Sequence, residues 1–281
     1  MSNLYRPIYG DIFKSIYGAL TAPGVGGGGA DPLLAAKALF LAGEQGYIYD
    51  PSVLSSMFQD TAGTVPAAAD QPVGRRLDLS GRGNHWTARN GTTGRPTLRT
   101  SGGLWWLEWD GLNNGGSTDN TIDFSTLGEM TCICALRKER DTGVGVIAEL
   151  TTDYSTFGGF MVAAPGYTGP TFGVVARGTS TAGASANNAA YAQPYAATFT
   201  GLARAQATPL CRVRLNGVDI DSSVTYQGAV NYPTAKVYSG FSGTITGFFK
   251  GRTYLEILRN KITSGTLLTD AEAVANARRG V

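Results

Sequence analysis

The 281-residue chain is predicted to be all-β, with two antiparallel sheets packed as a sandwich, a short helical extension before them and a short helix after them. Three observations carry this. Charged residues make up only 16% of the chain while 39 residues are Gly, a balance that suits short strands and tight turns rather than helical bundles or doubly wound folds. Apolar or alternating runs of strand length recur between turn residues. Leu215-Asn216-Gly217-Val218 spells a two-residue hairpin, because Asn-Gly takes the type I′ turn that matches strand twist.

The elements follow in order. In the first twenty residues Ile8, Ile12, Phe13, Ile16, Tyr17 and Leu20 form a helical stripe. A helix this short is marginal alone in water, so it is expected to pack on something. Gly26 to Gly29 form an unbroken glycine run that reads as a hinge. Ala30 and Asp31 follow it, not the Lys and Ser/Thr a phosphate-binding loop requires. Residues 1–30 are therefore predicted to be an attachment segment and linker, and 31–281 the sandwich.

The sandwich is expected to begin with a lead-in helix over about 31–43, capped by Asp31, with Pro32 at its first position and Gly43 as its stop. Strands are predicted in YIYD (47–50), LWWLEWDG (104–111), MTCICALRK (130–138), GVIAEL (145–150), TFGVVARG (171–178), CRVRLNGVDI (211–220) and FFKGRTYLEILR (248–259). The small-residue stretch Gly178–Ala197 and the segment Asn113–Asn120 are predicted to be surface loops. Thr269 with Glu272 three residues later reads as a capping box opening the terminal helix, which runs to about Arg279.

Charge and cysteine usage narrow the function classes. The net charge is +2 with Lys and Arg scattered, whereas a nucleic-acid groove needs a basic stripe. No apolar run approaches the roughly 18 residues of a membrane span. Arg6, Asp11 and Lys14 interrupt the opening segment and argue against a signal peptide. Cys132 and Cys134, two apart, point to one face of a strand; with Cys211 they read as buried thiols rather than a disulfide framework, as suits assembly in a reducing cytoplasm.

The runs GEQGYIYDPS (43–52), MFQDTAGTVPA (57–67) and QPVGRRLDLSGRGNH (71–85), in that order, resemble a family of phage and prophage structural proteins. DLSGRGNH, WLEWDG (106–111) and the closing stretch 248–272 also resemble concanavalin A-like, laminin-G-like jelly-roll sandwiches. The resemblance covers residues 43–281. It implies a virion structural protein of tail, fibre, spike or decoration type, assembled in the bacterial host cytoplasm and displaying a lectin-like domain. Its implied partners are other virion proteins and copies of itself, with a trimer as the default.

Fold does not decide function, so the residues must. A retaining glycanase needs two carboxylates about 5 Å apart. Glu108 and Asp110 begin such a motif, but Leu112 and Asn113 stand where the partner acid belongs. His85 is the sole histidine, too little for a multi-His metal site, and in the resembling family it belongs to a turn where Asn84 and His85 bond backbone groups. Asp110, Asn113, Asp119, Asn120 and Asp123 crowd one region, which reads first as loop solubility and second as a calcium site. The expectation is no catalytic residue, no metal site and no cofactor. Trp86, Tyr154, Tyr167, Tyr191 and Tyr195 are the candidate sugar-stacking residues, and Ile8, Ile12, Phe13, Ile16 and Leu20 the candidate attachment and oligomerisation stripe. The rival readings are a host-glycan receptor-binding module and, behind it, a glycan-degrading enzyme.

Overall fold

The computed structural model describes residues 31–150, 158–166, 169–177, 181–187, 189–204, 210–223, 232–244 and 246–281, with backbone alone for 181–187 and 189. The attachment stripe from Ile8 to Leu20, the glycine run, Tyr154 and Tyr167 lie outside the described residues. The chain divides into two compact units, Met1–Leu34 and Ala35–Val281. In the first, the Asp31 carboxylate accepts the Leu33 amide at 2.9 Å, the expected capping contact.

The sandwich is all-β, as predicted. After helix α1 (Leu34–Ala38) come β1 (Gly46–Tyr49), β2 (Met57–Phe58), β3 (Arg75–Arg76), β4 (Trp86–Ala88), β5 (Thr97–Ser101), β6 (Leu104–Asp110), β7 (Gly116–Thr118), β8 (Ile122–Asp123) and β9 (Glu129–Lys138). They are followed by β10 (Val146–Leu150), β11 (Phe160–Ala163), β12 (Thr171–Arg177), β13 (Thr181–Asn187), β14 (Tyr195–Arg204), β15 (Leu210–Leu215) and β16 (Val218–Ser223). The chain closes with β17 (Thr234–Ala235), β18 (Val237–Ser239), β19 (Lys250–Arg259) and helix α2 (Gly265–Arg278). Among the described residues, the first sheet runs β16-β15-β14-β9-β19-β6-β5 with β1 also on β19, and the second runs β13-β12-β11-β10-β18-β7-β4-β3-β2. A two-stranded ribbon, β17-β8, stands apart. Every pairing is antiparallel. β19 organises the first sheet, because β9 holds one edge along its length while β6 and β1 divide the other, β6 at Lys250–Thr253 and β1 at Glu256–Arg259.

Each predicted strand is present, and Asn216 and Gly217 take positive φ (52° and 81°) at the predicted hairpin turn. Four expectations are corrected. α1 is shorter than 31–43: beyond Ala38 the amides of Leu39 and Phe40 bond three residues back, a tighter coil that buries both side chains. Within the predicted loop 178–197, β13 pairs with all seven residues of β12, so tertiary pairing overrides the weak strand propensity of Gly, Ala and Ser. Within the predicted loop 113–120, Gly116–Thr118 is a strand, because a Cβ on Gly116 would lie 2.5 Å from the Trp86 ring and glycine lets β7 close against it. Helix α2 opens earlier than the predicted capping box. Ser264 stands at its N-cap without a side-chain bond, Thr269 Oγ1 donates back to the Thr266 carbonyl, and Glu272 is buried.

Glu272 faces inward because it joins α2 to the first sheet. Its carboxylate accepts from Thr200 Oγ1 at 2.8 Å and Arg214 Nε at 2.9 Å. Leu268, Ala271 and Ala275 complete the buried stripe of the helix, which lies on β9, β14 and β19. The middle of the outer face of the first sheet, at β9, β14 and β19, is thus covered, and β9 is buried along most of its length. No helix among the described residues is long and apolar enough to cross a membrane. The three cysteines are buried and none forms a disulfide, with Cys132 and Cys134 both in the core.

Between the sheets lies a buried ion pair. Arg76 on β3 reaches Glu256 on β19 at 3.2 Å, and both side chains are at most 2% exposed. Glu256 also accepts from Tyr47 Oη at 2.6 Å and Ser239 Oγ at 2.8 Å. The Arg76 guanidinium lies 4.3 Å from the Tyr49 ring centre, 4.2 Å from that of Trp86 and 5.6 Å from that of Trp109. Its Nε and Nη2 have no oxygen partner, and the aromatic faces supply the negative potential instead. Burial, and after it the Glu256 carboxylate, holds the Tyr47 phenol well above its usual range, so it remains a donor.

Arg76→Met strands Glu256 in the core and should lower unfolding stability by about 3–5 kcal/mol, read from urea unfolding. Adding Glu256→Gln, which removes the stranded charge and keeps an acceptor for Tyr47 and Ser239, should recover most of that loss. A single-variant loss below roughly 1 kcal/mol would show the pair to be of little weight.

Candidate functional site

While α2 covers β9, β14 and β19 of the first sheet, two adjoining clefts open on the outer face of the second. Strand register sets an unbroken row across it: Arg75, Thr87, Ser117, Tyr238, Glu149, Met161 and Val175, each paired with the next. Side chains alternate across a strand, so this row faces away from the core while its neighbour (Arg76, Trp86, Leu150, Phe160, Ala176) faces in. Met161 and Val175 join Val146 and Ala163 in a separate apolar cluster on the outer side.

The connection from β18 to β19 folds over this face. Gly240 allows it: its φ is +84°, and a Cβ there would lie 2.3 Å from the Trp109 ring. Glu149, wholly buried, accepts the Gly243 amide at 2.9 Å and so anchors the connection to β10. Ser242 and Thr246 form an isolated bridge that puts three hydroxyls in line, Ser242 Oγ to Thr244 Oγ1 at 3.0 Å and Thr244 Oγ1 to Thr246 Oγ1 at 3.1 Å. These hydroxyls, with Val144, Met161 and Phe248, line a cleft of about 460 Å³. Arg140 closes one end, donating to the carbonyls of Gly111 (3.2 Å), Val144 (2.8 Å) and Phe248. Burial draws its pKa below the usual arginine range.

A second cleft of about 360 Å³ adjoins, lined by Thr87, Arg89, Ser117, Lys236, Tyr238 and Phe241 among others. Phe241 of this cleft stacks on Phe248 of the first, with centres 5.9 Å apart and planes 13° apart. Tyr238 meets Phe241 edge-on at 5.6 Å. Phe248 and Tyr238 are half-buried and keep ring surface toward solvent. The face thus combines flat apolar rings with a line of hydroxyls and backbone-anchored cations, a lining that suits a ligand with both apolar and hydroxylated faces.

The residues singled out from the sequence lie elsewhere. Trp86, expected as a stacking platform, is wholly buried edge-on against Trp109 under the Arg76 guanidinium. Tyr191 and Tyr195 pack on each other and on Phe172 at the core margin. None of these three is brought to the open face. Glu108 pairs with Arg99 at 2.7 Å, and Asp110 caps its own loop by accepting the amides of Leu112, Asn113 and Asn114. Asp119 is held by Arg75 and Thr87, and Asp123 by Ser125 and Thr234. No group of three His, Cys, Asp or Glu gathers among the described residues.

DLSGRGNH is a structural knot. Asp78 accepts from the amides of Ile48, Ser80 and Asn84 and from Ser80 Oγ. Asn84 Nδ2 donates to the Gly46 carbonyl, and His85 Nδ1 accepts the Asp78 amide, the backbone-bonding role expected for both. The residues that sequence reasoning missed are Tyr238, Phe248, Arg89, Arg140 and the Ser242-Thr244-Thr246 line. Their one signal is FSGTITGFF (241–249), hydroxyls at every second position between glycines.

No protein-family model matches the sequence, and the search of curated proteins returns no match. Solved structures do share the fold. A mutant GH54 α-L-arabinofuranosidase soaked with 4-nitrophenyl α-L-arabinofuranoside superposes with a TM-score of 0.60 at 11% identity, over 89% of this chain and 65% of that one. Domain 4 of a GH43 extracellular arabinanase from Geobacillus stearothermophilus, in complex with arabinotriose, gives 0.55 at 11% identity over 83% and 98%. The receptor binding domain of botulinum neurotoxin type G gives 0.51 at 10% identity over 73% and 49%. The chain spans about half the length of the botulinum neurotoxin binding domains it matches. These likenesses are of fold: a β-sandwich shared with carbohydrate- and receptor-binding domains.

The local geometry makes one demand that can be measured. Gly240→Ala should push the β18–β19 connection off Trp109 and lower stability by roughly 1–3 kcal/mol, seen as a fall in Tm together with altered tryptophan emission. Unchanged emission would mean the connection does not rest on Trp109.

Proposed function

We propose that the chain is a bacteriophage virion structural protein displaying a lectin-like module, which binds a glycan on the open face of the second sheet and does not cleave it. The observation that carries the binding reading is the pairing of half-buried rings, Phe248 and Tyr238, with the hydroxyl line Ser242-Thr244-Thr246 on the outer face of the second sheet. Sugars present apolar ring faces and ranked hydroxyls, and such a lining answers both. Likeness in fold to a domain described in complex with arabinotriose agrees with it. The virion setting is supported by the ordered run of motifs across residues 43–85 and by the apolar stripe Ile8, Ile12, Phe13, Ile16 and Leu20. Buried, each such side chain contributes on the order of 1.5–3 kcal/mol, enough to hold the chain to other virion proteins or to copies of itself, a trimer by default.

A glycan-degrading enzyme is the second reading, favoured by the likeness to the arabinofuranosidase. Against it, retaining hydrolysis needs two carboxylates about 5 Å apart. On the open face Glu149 is the sole carboxylate of its row, and it is committed to the Gly243 amide.

Three experiments test these readings. A glycan array probed with the full chain should give a defined set of ligands, and Phe248→Ala should weaken each about tenfold or more. The same protein should release no nitrophenolate from 4-nitrophenyl α-L-arabinofuranoside; release abolished by Glu149→Gln would establish the enzyme instead. Removing residues 1–30 should leave a folded, soluble sandwich that no longer joins particles. Incorporation of the truncated chain at normal copy number would refute the attachment role.

A further inference from the structure

Among the described residues, the outer face of the second sheet carries more positive charge than its carboxylates neutralise. Three cations line its two clefts, Arg140 in the first and Arg89 and Lys236 in the second, against one carboxylate, Asp119. Asp119 is already paired with Arg75 at 2.7 Å and bonded by Thr87. The other nearby acid, Glu149, is wholly buried under the β18–β19 connection. Among the described residues, neither Arg89 nor Lys236 has an ion pair or a side-chain hydrogen bond. Arg140 bonds only to carbonyls, and its Nε has no partner. Lys250, exposed, runs its stem along Gly111 beside Arg140.

Arg89 is fixed in place without spending its donors. Its amide bonds the Gly115 carbonyl at 2.9 Å, and its backbone passes so close to Gly94 that a Cβ there would lie 2.1 Å from the Arg89 carbonyl oxygen. The guanidinium then rests on the stacked pair, 4.8 Å from the Phe241 centre and 5.5 Å from that of Phe248. Contact with ring faces orients the planar group and leaves its five N–H donors for an acceptor from outside. A guanidinium matches the two oxygens of a carboxylate, in a bidentate arrangement a neutral hydroxyl cannot reproduce. Phe248, which Arg89 also touches, lines the neighbouring cleft with the hydroxyl line.

We propose that the glycan held on this face is acidic: a sugar bearing a carboxylate, of the uronic or sialic acid class, is taken by Arg89 with Lys236 beside it, while Phe248 and the Ser242-Thr244-Thr246 line hold the adjoining neutral sugar. This rests on the glycan-binding reading and names the ligand class for that same face. A single carboxylate suits the arrangement better than a nucleic acid does, because the cations flank one aromatic stack and do not form the stripe a phosphate backbone follows.

Saturation-transfer NMR on the full chain tests it, with the methyl glycosides of glucuronic, galacturonic and N-acetylneuraminic acid set against methyl glucoside and methyl galactoside. At least one acidic sugar should bind in preference to the neutral ones. Arg89→Gln should weaken it about tenfold, a larger loss than any neutral sugar suffers, with Tm recorded beside it to separate lost packing on Phe241 and Phe248 from the lost charge. Lys236→Gln, a second exposed-face variant, should weaken it in the same selective way and serves as the readout if Arg89→Gln disturbs folding. Equal binding of acidic and neutral sugars, or no selective loss in either variant, overturns the acidic class while the glycan-binding reading stands. Binding of none of the sugars overturns both. Full displacement of the acidic sugar by single-stranded DNA at equal charge concentration assigns the face to nucleic acid and overturns the proposal.

Discussion

The sandwich is organised around a charge it must not leave unanswered. Arg76 comes from the second sheet and Glu256 from the first, and they meet where water does not reach. Moving either ion from water into such an interior costs several kcal/mol, which is offset only with good geometry and further hydrogen bonds. Those come from both sheets: Tyr47 on β1, Ser239 on β18, and the rings of Tyr49, Trp86 and Trp109 around the guanidinium. Apolar contacts tolerate sliding, but this set is satisfied in one relative placement of the sheets. That placement brings Gly240 against Trp109, and Gly240 starts the connection that shapes the open face. Core and site are therefore linked through one residue on each side.

The two outer faces are treated differently, and this asymmetry creates the site. On the first sheet, Glu272 and Asn276 of α2 take hydroxyl protons from Thr200 and Thr198, so polar strand residues are satisfied beneath a helix. On the second sheet, the corresponding row holds Thr87, Ser117 and Tyr238, with a loop over only one end. Arg140, pinning three carbonyls from three segments, keeps that loop near the sheet without filling the space between.

Much of the fold was legible because strand signals are local. Alternation, apolar runs and the Asn216-Gly217 turn are written in neighbouring residues, and each predicted strand exists. β13 was not legible: in Thr181–Asn187 Thr181 alone prefers a strand, the rest being Ala, Gly, Ser and Asn, and pairing with β12 makes the segment one. Glu272 misled for the opposite reason. Its spacing from Thr269 matches a capping box, yet its partners, Thr200 and Arg214, are remote in sequence. The site was less legible still. Aromatic residues near turns were read as exposed platforms, but Trp86 packs inward because the residue after the DLSGRGNH knot enters β4 facing the core. Of the stretch 241–249 only Phe248 and Phe249 were read, as the start of a strand, although its hydroxyls and rings line the clefts.

The sharing of one edge of β19 between β6 and β1 also governs when the protein can fold. β1 contributes Gly46 to a pair with Arg259, so the first sheet waits for a partner from the far end of the chain. A ribosome emitting this polypeptide releases β1, β6 and β9 before the strand that joins all three. Until then the cation of Arg76 has no anion and three strands have bare edges, a state prone to mispairing. Pairings this distant place the domain among slow folders, since loop-closure entropy is lost before the contacts reward it. β19 is thus the strand that commits the molecule, and a chain cut short before Lys250 lacks the seam on which both halves of the first sheet close.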